Sequence, residues 1–154
     1  MRRLVAAIAV CALAVGLTLA PGAAGKKAPK QVGGTVTVAG TPSTVTTETT
    51  TITVSGNLAT NSGCRKDRTV HFSYVGPTLV ETPLAVTAET RGNGSFTAVL
   101  PKPTDAAPAT VTLKATVDPA TRKVGSKKKG KKTKKGRVFN CLEVEGQTTI
   151  TVAS

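Results

Sequence analysis

Two cysteines are the residues best suited to covalent chemistry in this 154-residue chain. A third, Cys11, lies in an apolar segment that we expect to be removed, which leaves Cys64 and Cys141. An even number of cysteines in an exported domain predicts one disulfide. In the chain-entropy model, closing so long a loop contributes at most about 4–5 kcal/mol. The alternatives are free thiols and a metal site, which would need more soft ligands than the single histidine, His71.

The densest charge lies in a basic run over 122–137 that contains no acidic residue. Such a run can neutralise the phosphates of a polyanion through salt-sensitive, sequence-independent contacts. Like charges repel and glycines are interleaved, so the run predicts a disordered loop between two strands. The candidate contact residues are its ten cations, Arg122, Lys123, Lys127, Lys128, Lys129, Lys131, Lys132, Lys134, Lys135 and Arg137. The alternative is a solvated spacer without a partner.

The rest of the chain is almost neutral. Lys and Arg number 21 against 8 Asp and Glu, a formal net charge of +13. Two of these cations, Arg2 and Arg3, belong to a predicted signal peptide, and ten belong to the basic run. The run has no aromatic residue on which bases could stack, and no element suits readout of base edges. We therefore expect contact with an anionic cell-envelope polymer or another extracellular polyanion, without specific nucleic-acid recognition.

Catalytic residue types are sparse. His71 and Ser73 lie on the same face of a predicted strand, but hydrolysis would also need an orienting carboxylate and an activated nucleophile. The acidic residues do not have the spacing of a calcium-binding loop. We expect His71 to be a surface residue, and we expect neither enzymatic activity nor a metal or cofactor.

Alternation of Thr with Val or other apolar residues predicts strands. It is clearest in 35–38, 51–54, 68–75, 84–88, 96–100, 111–117 and 148–152, and a further strand holds Cys141. Turn residues separate these runs at Gly56-Asn57 and Gly76-Pro77, and Arg91–Gly94 predicts a tight hairpin. No helix longer than one turn is expected. Seven or eight short strands predict an all-β, antiparallel sandwich, with a small barrel as the alternative.

Several of these segments resemble known modules. The run 51–58, Cys64, the segment Arg68–Val70 and the turn Thr90–Phe96 resemble bacterial immunoglobulin-like and carboxypeptidase-regulatory-like (transthyretin-like) modules of small secreted actinobacterial proteins. The resemblance covers about residues 50–152, although typical modules have Asp where Arg91 stands. It implies an immunoglobulin-like β-sandwich with no catalytic residues.

The first 25 residues have the pattern of a signal peptide, namely a basic start, an apolar run and small residues. We expect a helical signal peptide over 1–25, with a retained membrane anchor as the alternative. Residues 26–49 then form a linker and the first strand, and 50–154 form the sandwich. The mature protein is expected to be a secreted monomer without a membrane span, with the periplasm or cell surface as alternative locations. We expect a non-enzymatic binding or structural module; the alternative is a secreted enzyme inhibitor or small enzyme.

Overall fold

The computed structural model describes residues 28–105, 107–125 and 136–154. These residues form eleven strands and a single turn of helix. The strands are β1 (Lys30–Val32), β2 (Gly34–Thr41), β3 (Thr44–Val45), β4 (Thr51–Thr60), β5 (Thr69–Val75), β6 (Glu81–Glu89), β7 (Ser95–Pro101), β8 (Ala109–Val117), β9 (Ala120–Val124), β10 (Arg137–Cys141) and β11 (Val144–Val152), and the helix is α1 (Ser62–Arg65). The predicted signal peptide and its helix lie outside the described residues.

Eight strands form a β-sandwich, which confirms the predicted all-β fold. One sheet has the order β2-β4-β7 and the other the order β3-β11-β8-β5-β6. Neighbouring strands are antiparallel except for the short β3, which pairs in parallel with β11. The Thr and Val alternation has the predicted cause, because every second residue of a strand faces the same side. In β4, for example, buried Ile52 and Val54 alternate with exposed Thr51 and Thr53.

Side chains from both sheets fill the space between them. Phe72 of β5 and Phe96 of β7 meet there, with their ring centroids 6.1 Å apart. The hydroxyl of buried Tyr74 crosses the same space and donates to the carbonyl oxygen of Pro101 at 2.7 Å. Fully buried aliphatic residues complete this core: Val45, Ile52, Val54, Leu58, Val70, Leu100, Val111, Leu113, Val117 and Ile150.

Strand β4 is longer than predicted, because Gly56 and Asn57 lie within it instead of ending it. Gly56 is paired with Phe96 across β4 and β7. A Cβ atom at Gly56 would collide with the Phe96 ring and with the carbonyl oxygen of Thr37. The glycine therefore makes room for an aromatic ring, and the predicted turn at this position is wrong.

The turn predicted at Arg91–Gly94 is present, but the predicted hairpin is wrong. The amide of Gly94 donates to the carbonyl of Arg91 at 2.9 Å, and Gly94 has a φ of +89°, which suits glycine. However, β6 and β7 on either side of the turn belong to different sheets. The turn carries the chain across the sandwich, and local turn chemistry does not specify which sheet the next strand joins.

A third sheet, which we call the small sheet, has the order β1-β10-β9. β9 and β10 form an antiparallel hairpin from the pair Ala120 and Cys141 to the pair Val124 and Arg137. β1 extends the sheet by pairing in parallel with β10. α1 packs against β9 and β10, and its Cys64 is buried with Phe139 beneath this sheet.

Three of the strands were not predicted, namely β1, β3 and β9. They are two to five residues long, which is too short to show a clear alternation. β2 and β3 correct the predicted boundary at 49/50, since both precede it and are paired with β4 and β11 of the sandwich. Lys30 and Gly34, in the segment 26–49 that was expected to hold a linker and the first strand, lie in β1 and β2. The described N-terminal segment is therefore part of the folded domain.

Candidate functional site

The two predicted disulfide partners are bonded to each other where the small sheet meets the sandwich. Cys64 of α1 is joined to Cys141 of β10, with 5.5 Å between their Cα atoms and a sequence separation of 77. Asn61 caps the single helical turn, and its Oδ1 accepts a hydrogen bond from the amide of Gly63 at 3.0 Å. The disulfide therefore fastens the last residue of the β9–β10 hairpin to the segment that follows β4.

Basic side chains from separate segments gather at this same end of the molecule. A Cβ atom at Gly94 would lie 2.9 Å from Cγ of Arg65, which places α1 against the β6–β7 turn. Nη2 of Arg122 in β9 donates to the carbonyl oxygen of Lys66 at 2.9 Å and to that of Asp67. We name the resulting group the cationic end: Arg65, Lys66, Arg91, Arg122, Lys123 and Arg137.

The structure describes three of the ten predicted contact residues. At the open end of the β9–β10 hairpin, Arg137 is paired with Val124 and Lys123 with Val138, and Arg122 is paired with Phe139 one residue further in. The other seven lie outside the described residues: Lys127, Lys128, Lys129, Lys131, Lys132, Lys134 and Lys135. Because they fall between β9 and β10 in sequence, the chain that holds them leaves and re-enters the described structure at the cationic end.

The three described cations of the basic run have different surroundings. Arg122 is half-buried, and its hydrogen bonds attach β9 to the loop after α1. Lys123 and Arg137 are exposed. Neighbouring residues of a strand point to opposite faces, so Lys123 lies on the other side of the hairpin from Arg122. Arg122 thus has a structural role, and the other two cations are accessible to a ligand.

The formal charge is distributed unevenly along the chain. The described residues hold ten Lys and Arg and all eight Asp and Glu, a net charge of +2. By contrast, Ser126–Lys135 contains seven lysines and no acid. At the cationic end itself, Lys66 makes an exposed ion pair with Asp67 at 3.5 Å. The folded surface therefore contributes little net charge, and the excess lies in the segment attached to the small sheet.

Arg68, immediately before β5, has a structural role that was not predicted from the sequence. Only 2% of it is exposed, and its guanidinium donates to three carbonyl oxygens. Nε donates to Asp118 at 2.6 Å, Nη1 to Cys64 at 3.2 Å and Nη2 to Leu142 at 2.9 Å. Burial lowers the pKa of Arg68, and the nearby charge of Arg122 lowers it further. No local pattern distinguishes this arginine from a surface residue, since its acceptors are backbone atoms up to 74 residues away.

His71 and Ser73 are on the same strand face, as expected, but the structure does not bring them together as a catalytic pair. His71 is exposed, and its Nε2 lies 2.9 Å from Oδ2 of Asp118. Ser73 is buried, and its hydroxyl donates to Oε1 of Glu81 at 2.6 Å. The serine is thus engaged with a carboxylate on β6, and the histidine with one after β8.

A row of charged side chains continues across the outer face of the five-stranded sheet. Lys114 on β8 lies 2.9 Å from Glu145 on β11 and 3.6 Å from Glu81 on β6. The hydrogen bond from Ser73, followed by the charge of Lys114, lowers the pKa of Glu81. The hydrogen bond to Glu145 raises the pKa of Lys114. These groups are paired with one another across the strands, which is the usual way for a solvent-facing sheet to carry charge.

Two other kinds of feature are absent from the described parts of the chain. Within 28–105, 107–125 and 136–154, no three His, Cys, Asp or Glu side chains are grouped so that they could hold a metal ion. No helix in these ranges is long and apolar enough to cross a bilayer.

Comparison with known proteins adds no family to this description. No protein-family model matches the chain, and no curated protein has a significant match to it.

Proposed function

We propose that the protein is a secreted, non-enzymatic module of the immunoglobulin-like type, and that its basic run, together with the cationic end from which the run extends, binds anionic polymers outside the cytoplasm. The observation that carries this proposal is the position of the basic run. Its two ends lie at the tip of the β9–β10 hairpin, beside the exposed cations of the folded surface. One localised, strongly positive element is therefore presented by an almost neutral domain.

The strand order supports the immunoglobulin-like part of the proposal. In the immunoglobulin fold the first, second, fourth and fifth strands share one sheet, and the third, sixth and seventh share the other. Here, apart from the short β3, β2, β4 and β7 correspond to the first, second and fifth strands and form one sheet, while β5, β8 and β11 correspond to the third, sixth and seventh and lie in the other. The fourth strand, β6, departs from the pattern because it lies beside β5. The disulfide departs from that pattern, because it lies at one end of the sandwich instead of joining the two sheets.

The composition of the basic run indicates the class of ligand. It contains eight lysines but only two arginines, one of which, Arg122, is held by backbone carbonyls. Lysine acts as a compact point charge, whereas planar, bidentate recognition of a phosphate usually relies on arginine. A flexible polymer with closely spaced phosphates or carboxylates suits such a set of charges. Binding should depend steeply on salt and only weakly on the identity of the polymer.

Elution from a heparin or phosphocellulose column tests the proposal. The test variant replaces the seven lysines between Ser126 and Lys135 by Gln, which keeps the length of the segment. If each lysine neutralises one phosphate, the slope of log affinity against log salt should be less steep by about 5–6 in the variant than in the wild-type protein. The variant should therefore elute at much lower salt than the wild-type protein.

Lys102→Gln provides the control. This lysine is near the other end of the sandwich, where its Nζ contacts the carbonyls of Thr46 and Thr47. Its replacement should change elution only slightly, because the slope of log affinity against log salt should change by about 1 or less. Equal elution of the wild-type protein and the seven-lysine variant would contradict polyanion binding and favour the spacer interpretation.

A secreted enzyme inhibitor is the second candidate, and one turn favours it. Between β5 and β6, Leu79 is 84% exposed and has a φ of +60°. Its amide donates to the carbonyl of Gly76 at 2.9 Å, which holds the turn in place. Left-handed backbone costs a leucine about 1–2 kcal/mol, and an exposed leucine gains little in the isolated domain.

Such a residue suits an apolar pocket on another protein. The test measures residual activity of secreted proteases after addition of the wild-type protein or of Leu79→Asp. Inhibition that the substitution removes would support this candidate. If the wild-type protein inhibits none of the proteases, the candidate loses its support.

A further inference from the structure

The buried apolar side chains of the described residues form two separate clusters. The larger one fills the sandwich with residues from β2 to β8 and from β11, and it contains neither cysteine. The smaller one consists of Cys64, Phe139 and Cys141, with Val32 and Ala120 at its margin. The small sheet and α1 therefore have a core of their own, and the disulfide is its centre.

The backbone joins the two clusters at a few short connections. β1 leads into β2 through Gly33, where a Cβ atom would have no neighbour within 4 Å. Two residues connect β8 to β9, and two connect β10 to β11. Each connection is thus short, and hydrogen bonds from Thr60 Oγ1 to the carbonyl of Gly33 at 2.7 Å and from the amide of Asp118 to the carbonyl of Thr69 at 3.0 Å attach two of them to the sandwich. The small sheet therefore depends on specific cross-links for its position.

Arg68 provides three further polar cross-links at this boundary. Its three acceptors belong to α1, to the β8–β9 connection and to the β10–β11 connection. Beside it, Arg122 attaches β9 to the loop after α1. These hydrogen bonds hold the base of the hairpin, but they supply no apolar core to the rest of the small sheet.

The geometry points to the small sheet as a separately releasable unit. Reduction of the Cys64–Cys141 disulfide frees the small sheet, together with the basic run that it carries, from a sandwich that stays folded. The sandwich keeps its whole core in this step. Without the disulfide, the core of the small sheet consists of one aromatic ring with two small aliphatic neighbours. This is too little apolar contact to hold three strands of three to five residues.

The reaction is an ordinary thiol–disulfide exchange. A dithiol supplies two electrons and two protons, the bond between the two cysteine sulfurs breaks, and a thiol forms on each cysteine. The dithiol itself becomes a disulfide. The role of the release in ligand contact rests on the proposed function, since it would separate the basic run from Arg65, Lys66 and Arg91 of the cationic end.

Amide hydrogen exchange of the mature protein, before and after reduction with dithiothreitol, tests the release. In the reduced protein, amides of β9 and β10 should exchange within about tenfold of the unfolded rate. Amides of β5 and β8 should stay protected by at least about a thousandfold. The variant with Cys64→Ala and Cys141→Ala should behave in the same way without reductant, which separates the effect of the disulfide from that of the reagent.

Two results would overturn the inference. If β5 and β8 lose protection together with β9 and β10, the sandwich does not survive without the disulfide. If β9 and β10 keep the protection of the sandwich in the reduced protein, strand pairing and Arg68 hold the small sheet unaided.

Binding of both redox forms to a polyphosphate resin separates this inference from the proposed function. Failure of both forms to bind contradicts the proposed function and leaves the release, as measured by exchange, unaffected. Binding without selective loss of protection contradicts only the release.

Discussion

The sandwich and the small sheet are held together by different means. Interdigitated side chains from two facing sheets stabilise the sandwich, with Phe72 and Phe96 in contact at its centre. The small sheet is attached through one disulfide, one buried ring and hydrogen bonds, among them those of two arginines and the one from Thr60 to Gly33. The strongly charged run is therefore attached to the part of the molecule that packing stabilises least. Opening of the small sheet would therefore leave the main core intact.

Removal of the disulfide should have the largest effect on global stability. Although the bond lies in the small cluster, the loop that it closes contains β5 to β10, so it restricts the whole unfolded chain. Changing both cysteines to Ala should lower the free energy of unfolding by up to about 4–5 kcal/mol and the melting temperature by about 10–20 °C. Calorimetry of both forms measures this, and titration of two free thiols in the folded mature protein would contradict it.

Two phenylalanines allow a direct comparison of the clusters. Phe96→Ala should cost about 3–5 kcal/mol of unfolding free energy, because its ring is fully enclosed between the sheets. Phe139→Ala should cost less, about 2–3 kcal/mol, because its ring is 8% exposed in a shallow cluster.

Urea unfolding followed at the two regions separately would sharpen this contrast. Only Phe139→Ala should expose β9 and β10 before the sandwich unfolds. A single coincident transition for both variants, with equal losses, would show that the two clusters are one cooperative unit.

Arg68 should matter more than its neighbour Arg65. Arg68→Met leaves three carbonyls at the boundary without their donor and should cost about 2–3 kcal/mol of unfolding free energy. Arg65 donates one such bond, to the carbonyl of Thr60 at 2.9 Å, and Arg65→Met should cost about 1 kcal/mol. Denaturant titration distinguishes the two variants. Arg68→Lys should recover little, because one ammonium group lacks the fixed fork of donors that reaches three carbonyls.

The sequence predicted the sandwich better than the small sheet, and the reason is physical. In β4 and β8, alternating apolar residues face a large core, so the alternation of residue types in the sequence matches the alternation of buried and exposed side chains. In β1 and β9 only one or two side chains are even partly buried, and β1 is paired with β10, which is distant in sequence. The role of Arg68 could not be predicted from the sequence either, because its partners are backbone carbonyls and these do not depend on residue type.

Only the residue types of the candidate site could be predicted from the sequence, and not their arrangement in space. The basic run and both cysteines were evident from residue type. The predicted disulfide between Cys64 and Cys141 is confirmed, and it joins α1 to β10. The cationic end was not evident, because Arg65 and Arg91 reach it through the fold and not through sequence proximity. Gly56 shows the same limitation, since its partner is the ring of Phe96 on another strand.

Ionisation of Tyr74 provides the mildest test. It does not affect stability at neutral pH, and it reports on the sandwich alone. Burial raises the pKa of Tyr74 to about 12, against an ordinary value near 10. A raised pKa for a phenol means that the neutral form is favoured in the folded state. This contribution is complete below about pH 10 and is lost as the pH rises through about 12, a change of about 2–3 kcal/mol. Tyr74→Phe should remove this pH dependence.

The same residue can decide whether the sandwich survives reduction. Tyr74 is the only tyrosine and the chain has no tryptophan, so tyrosinate absorbance reports this one group. Its hydroxyl contacts Pro101 within the sandwich and lies outside the small cluster. If the small sheet opens alone, the reduced protein should still titrate near pH 12. Titration near pH 10 after reduction would mean that water reaches Tyr74, so that the two regions open together and the distinction between them fails.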